Sequence, residues 1–197
     1  MSSTFCVVDN RCSNFSIVRE AFQRLIAPLY GDQEKALSLI GEGGDRLCEV
    51  LFVDELPKGL LVYKKAIEEG VLELKTLCLV NPDADSGFGY GSRLYERLMQ
   101  IARIRGAERV LVTVSTSKPE SLTFFQKKGF DVIKQAPDLY VKDATEIFLE
   151  RPVAPSPRRE AAMPALLFGQ SYREDPALSV WRGKAAEARS ARNSYQF

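Results

Sequence analysis

The stretch Asp85-Ser-Gly-Phe-Gly-Tyr-Gly-Ser-Arg-Leu-Tyr-Glu-Arg-Leu98 decides how this chain is read. It joins an apolar run, Leu77 to Val80, to a segment in which Leu94, Leu98, Ile101 and Ala102 share one helical face and Arg93, Glu96, Arg97, Gln100 and Arg103 the other. Gly106 supplies the stop. Beyond it "RVLVTVS" has the β-branched content of a strand. Strand, helix and strand at this spacing form a crossover unit, which predicts that Leu77 to Val80 and Val110 to Ser115 run parallel. Glycines 87, 89 and 91 let successive backbone N–H groups turn inward where the helix dipole is positive, so the loop suits a phosphate or diphosphate.

Upstream, "TFCVVD" reads as a short strand. Ile17, Ala21, Leu25 and Leu29 mark an amphipathic helix loosened near Pro28 and ended by Gly31. "DQEKALSLIGEGG" offers a second helix. "LCEVLFVD" and "KGLLVYKKAI" predict an antiparallel hairpin around "ELPKG", and "LELKTLCLV" follows as a third strand. In that strand Leu72 and Leu74 alternate with Glu73 and Lys75 before the sequence turns wholly apolar, which predicts one end wet on one face and the other end buried on both. "SKPESLTFFQKKGF" reads as a short helix with Ser117 and Glu120 in capping-box spacing, and "FDVIKQ" and "TEIFLER" as a closing strand pair.

Composition narrows the function. At 197 residues and 45% hydrophobic content the chain supports one core, expected over residues 1–151. Residues 152–197 form a Pro/Ala/Arg-rich extension that opens with "PVAPSP", where Leu166, Leu167, Phe168 and Trp181 are candidates for docking on the core or on a protein partner. The extension has seven Lys and Arg against four Asp and Glu, net +3, which leaves −2 for the rest of a chain of net charge +1. That balance counts against a dedicated nucleic-acid binder. With no histidine, the His-based triads and most zinc sites are excluded, and no metal is expected. Cys6, Cys12, Cys48 and Cys78 form no CxxC pair and read as reduced, mostly buried thiols of a cytoplasmic protein. No run is long enough to span a membrane, and the first ten residues do not read as a secretory signal. The oligomeric state is left open, a homodimer included.

Three phosphate-binding patterns compete for the loop. The dinucleotide fingerprint finds Ser92 where its last glycine belongs, and the following strand ends in hydroxyls rather than an acid. The Gly-Lys-Ser/Thr of the Walker loop is absent. The stretch instead resembles the signature of the GCN5-related N-acetyltransferase (GNAT) superfamily, Arg/Gln-x-x-Gly-x-Gly/Ala, with Ser86 at the basic or amide position and Gly89 and Gly91 at the small ones. "LCLVNP" resembles the preceding strand end, and "FFQKKGFDVI" is similar to the family's later helix and its closing Gly-Phe. The resemblance covers about Leu72 to Ile133.

It implies an α/β (α+β) fold with a mixed, mainly antiparallel sheet, flanking helices, and strands splayed to admit acetyl-CoA as cosubstrate. By this resemblance the pantetheine arm lies along Leu77, Cys78, Leu79 and Val80. The diphosphate meets the loop of Ser86, Gly87, Phe88, Gly89, Tyr90, Gly91 and Ser92, with Arg93 and Lys127 toward the nucleotide phosphates and Ser115 and Phe125 lining the cofactor. The reaction implied is direct acetyl transfer to a primary amine of a small molecule, a peptide or protein, or charged tRNA, the last disfavoured by the charge balance. A noncatalytic CoA-binding module is the alternative.

Acetyl transfer needs a proton acceptor for the amine, a donor for the oxyanion and a proton for the leaving thiolate. Glu73 is the candidate base, and the N–H of Cys78 or Leu79 the oxyanion donor. Relatives often carry a tyrosine where this chain has Phe125, which has no proton to give. Ser121, a water or Tyr140 are the substitutes. Cys78 lacks a neighbouring base and reads as structural rather than nucleophilic.

Overall fold

A computed structural model describes residues 2–30, 33–140 and 142–154. The docking candidates of the extension lie outside these residues, as does Gly31. Seven strands form one sheet, β1 (Ser3–Val8), β2 (Arg46–Val53), β3 (Leu56–Lys64), β4 (Val71–Leu79), β5 (Arg109–Ser115), β6 (Asp131–Pro137) and β7 (Thr145–Pro152), in the order β1-β2-β3-β4-β5-β7-β6. Every neighbouring pair is antiparallel except β4 and β5. The expected fold class is the one observed.

Side chains alternate across this sheet and build two cores. On one face Leu72, Leu74, Val110, Val112, Ile147 and Leu149 pack against α5 (Tyr90–Arg105) and α6 (Pro119–Lys127). On the other, Cys48, Val50, Leu60 and Val62 pack against Val18, Ala21 and Phe22 of the first helical segment. That segment comprises α1 (Phe15–Ala21), a π turn (Phe22–Ile26) and α2 (Ala27–Tyr30), with α3 (Gln33–Ser38) following. The loosening expected near Pro28 falls one turn earlier. Proline has no N–H for the carbonyl four residues back, that of Arg24, and the Ala27 N–H reaches Phe22 instead.

Three local expectations are corrected. The β2–β3 hairpin closes over two residues, Asp54 and Glu55, both with positive φ, and β3 already begins at Leu56. This turn matches the twist of the flanking strands, although no glycine or asparagine announces it. At α6 the cap is Lys118 rather than Ser117, because Pro119 favours the first helical position and holds the residue before it outside the helix. Freed from capping, the Ser117 hydroxyl donates to Ser115 Oγ at 3.0 Å.

The third correction shapes the site. The parallel pairing joins Val71–Leu74 to Arg109–Val112, and Leu77 to Val80 has no partner on β5. Against β3 the register slips between Val62–Thr76 and Tyr63–Leu74, so Lys75 is an extra residue that bends the strand. Past this bulge β4 and β5 part, as the resemblance implies. Leu77, Cys78, Leu79 and Val80 are therefore only half-buried rather than covered on both sides.

Candidate active site

The opening between β4 and β5 exposes backbone as well as side chains. Residues facing each other across an antiparallel pair alternate between exchanging hydrogen bonds and turning their polar groups away. Val80 donates to the Lys58 carbonyl at 3.0 Å, so Cys78 and Thr76 likewise bond to β3 opposite Leu60 and Val62. The N–H and C=O groups of Leu77 and Leu79 consequently point to the side β5 has left. Of the two oxyanion donors read from sequence, Leu79 has its N–H toward the opening, and that of Cys78 is committed to β3.

Beyond β4 the chain makes one helical turn, α4 (Pro82–Asp85), closed by the Asp85 and Ser86 N–H groups on the Asn81 and Pro82 carbonyls. The glycine loop follows. Gly87 (φ 83°) and Gly89 (φ 79°) take the left-handed conformation that glycine adopts at no steric cost, and a Cβ on either would stand in open space. The first hydrogen bond of α5 runs from Arg93 N–H to the Gly89 carbonyl at 3.1 Å. The N–H groups of Tyr90, Gly91 and Ser92 thus stand free at the positive end of a sixteen-residue helix. A Cβ at Gly91 would stand 3.6 Å from the Phe124 ring, an ordinary van der Waals contact.

Cations surround this cradle. Arg93 and Lys58 each lie 5.8 Å from the Tyr90 ring, and Phe88, 65% exposed, stacks on the same ring at 6.0 Å. Lys58 also bonds Asp85 Oδ1 at 2.9 Å, which ties β3 to the loop and neutralises a carboxylate only 6% exposed. Lys128 donates to Ser92 Oγ at 2.9 Å, whereas Lys127, the residue expected near the phosphates, points to solvent. Sequence reasoning missed Lys128, although its signal was present: it follows Phe124 by four residues and so shares the face turned to α5. Arg24 was also missed. Its guanidinium, on the π turn, donates to the Val80 carbonyl.

The other expected residues are dispersed. Glu73 sits where β4 and β5 are still paired, opposite Leu111, and its carboxylate bonds Lys64 at 2.9 Å and also Lys75. Burial pushes its pKa up, but the two ammonium groups outweigh burial and hold it below the usual carboxylate value. Ser121 is half-buried on the first turns of α6, and Tyr140 is exposed in the loop joining β6 to β7. Phe125 is buried edge-on between Phe124 and Phe130, at 5.2 and 5.3 Å. Ser115, 3% exposed, ends β5. Burial of the sulfur atoms pushes the Cys78 and Cys48 thiols up to about 12, which keeps both protonated at neutral pH. All four cysteines are free, but only Cys48 is fully buried and Cys12 is exposed. Among the described residues no group of three or more acidic or cysteine side chains is placed to hold a metal, and no helix is long and apolar enough to cross a membrane.

Residues 47–130, which carry β2 through the end of α6, match the family model for the acetyltransferase (GNAT) family. No curated protein matches the chain in sequence. Among solved structures, the ribosomal-protein-S18-alanine N-acetyltransferase from Escherichia coli superposes with a TM-score of 0.64 at 16% identity, covering 84% of this chain and 100% of its own. An aminoglycoside 6'-N-acetyltransferase complexed with coenzyme A gives 0.62 at 14% identity, over 78% and 99%. A Bacillus subtilis acetyltransferase in complex with CoA gives 0.58 at 14%, over 77% and 100%. At these identities the likeness is one of fold. The splayed strands, the open glycine loop and the match to the acetyltransferase (GNAT) family model all fall on the same segment, residues 47–130.

Proposed function

We propose that this protein is an acetyl-CoA-dependent N-acetyltransferase that passes the acetyl group directly to a primary amine. The observation that carries this reading is the alignment of two binding features: the outward N–H groups of Leu77 and Leu79 along the opening, and the free N–H groups of Tyr90 to Ser92 at its end. The diphosphate of coenzyme A fits the second, with Gly87 and Gly89 leaving room and Arg93 and Lys128 supplying charge. The pantetheine amides fit the first. Leu79 N–H is then the donor to the oxyanion that forms when the amine attacks the thioester carbon.

For proton transfer Glu73, Ser121 and Tyr140 remain the proposed groups, with water completing the path where none reaches. Its two lysines make Glu73 a weak proton acceptor. The acceptor is an amine on a small molecule, on a peptide or protein, or on charged tRNA. The four free cysteines support a reducing compartment, the cytoplasm. One observation favours the second reading, a CoA-binding module without transfer: Phe125 offers no proton to a leaving thiolate. Release of CoA from acetyl-CoA across a panel of primary amines separates the two. Release that depends on the amine supports the enzyme, and cofactor binding with no amine-dependent release supports the module.

A further inference from the structure

Glu146, the second residue of β7, is 1% exposed, and neither carboxylate oxygen has a hydrogen-bond partner. A buried carboxylate left this way is destabilising unless something neutralises or solvates it. Its position is specific. Ile147 and Leu149 point into the core beneath α5, so by alternation Glu146 points to the opposite face of the sheet. Its register partner is Ser115, three residues past the last β4–β5 pair, Leu74–Val112. The Ser115–Glu146 pair therefore lies, buried, beyond the last paired residues of β4 and β5.

α5 packs on one face of the sheet and Glu146 points to the other, so a cofactor held by the glycine loop at the start of α5 would leave the second face of the opening to the acceptor amine. That face holds Glu146. We propose that Glu146 is the binding group for the positively charged amine of the acceptor, with Ser115 beside it. This rests on the reading of the chain as an amine acetyltransferase, and it names a site for the acceptor rather than for the cofactor.

The surroundings suit a small monocation. Ser117 donates to Ser115 Oγ from its hydroxyl at 3.0 Å and its N–H at 3.4 Å, which leaves the Ser115 proton to point away from both donors. Lys134, reaching the same face from β6, lies over the Phe148 ring at 5.5 Å rather than on the carboxylate. Arg109 is engaged with Glu150 at 3.0 Å. Among the described residues Glu146 thus has no ion-pair partner. One carboxylate with hydroxyl neighbours also falls short of the six to eight oxygens that a hard divalent cation collects. An ammonium, with three donors and a single charge, satisfies both orphan oxygens. Burial pushes the Glu146 carboxyl above its usual value, and the neighbouring Ser115 hydroxyl draws it partly back.

The test is a titration of full-length, ¹³C-labelled protein, with and without CoA, using ethylammonium chloride as probe, ethanol as its uncharged counterpart and sodium chloride to match ionic strength. The Glu146 side-chain carboxyl resonance is assigned through bonds in the wild-type protein. The site predicts a saturable shift of that resonance with ethylammonium and none with ethanol or sodium. A resonance that ethylammonium leaves unmoved overturns it. In the transfer assay Glu146→Gln is expected to raise the KM for a primary amine about tenfold or more, the scale of a charged hydrogen bond, with the KM for acetyl-CoA unchanged. An unchanged amine KM overturns the site and leaves the enzyme reading standing. Ammonium binding at Glu146 without transfer to any amine does the reverse.

Discussion

Gly89 caps α5 with a φ that only glycine adopts freely, and its missing side chain leaves room for an anion. Gly89→Asp places a carboxylate there. Strain at that φ costs on the order of 1 kcal/mol, too little to unfold a domain with two cores, whereas repulsion between carboxylate and diphosphate opposes binding directly. The variant is expected to keep its circular dichroism spectrum and lose acetyl-CoA binding by calorimetry; unchanged affinity would remove the loop from the cofactor site. Glu73 yields a prediction of the opposite kind, about stability. Its folded-state pKa lies below the unfolded value, so its stabilisation is present above the ordinary carboxylate pKa near 4.5 and is lost as pH falls through the lowered folded value. Glu73→Gln should therefore lower stability at pH 7 and flatten the acid limb of the unfolding profile. Equal acid limbs in the two proteins would mean that the lysine pairs contribute nothing. At this scale the sequence was informative about chain-local chemistry: the glycines and the absent histidine are read directly, and the missing phenol at Phe125 through the family resemblance. It could not reveal Glu146, whose burial and pairing with Ser115 depend on the register between β5 and β7.

The decisive element is β4, whose bulge at Lys75 separates it from β5. Because the Leu79 N–H faces the opening and not β3, Leu79→Pro removes it without breaking a ladder bond, whereas Cys78→Pro removes a bond to β3. The first variant is expected to fold and to lose about a hundredfold in kcat, the scale of an oxyanion donor. The second should be unstable. A fully active Leu79→Pro enzyme would show that the oxyanion is stabilised elsewhere. On α6, Phe125→Tyr supplies the phenol that the family resemblance expects at this position and is expected to raise kcat if thiolate protonation limits the rate; a pH–rate profile unchanged by it would assign that step to another group. Element type was legible throughout because apolar periodicity differs between strand and helix. The bulge and the Asp54–Glu55 turn were not, since each depends on how neighbouring strands share hydrogen bonds rather than on a residue signal, while Pro28 announced the π turn but not its place one turn earlier.

Across the molecule, α5 is bound to the sheet by polar as well as apolar contacts. Glu49, buried on β2, accepts from Arg97 Nε at 2.7 Å and from the Tyr63 hydroxyl at 2.9 Å. Arg97→Ala leaves that carboxylate half-satisfied and is expected to cost about 3 kcal/mol in urea unfolding, with cofactor affinity falling as the start of α5 loosens. Residues Met1–Ser156 form a compact unit. A chain ending at Ala154 is accordingly expected to bind acetyl-CoA as the full chain does, and weakened binding would assign part of the cofactor site to the extension. The central claim, that the opening and its glycine loop hold acetyl-CoA, is tested most directly by calorimetric titration of folded, full-length protein shown by native mass spectrometry to be free of CoA. The account predicts one site with a Kd in the micromolar range common for enzyme substrates. Absence of binding by such a sample would contradict it.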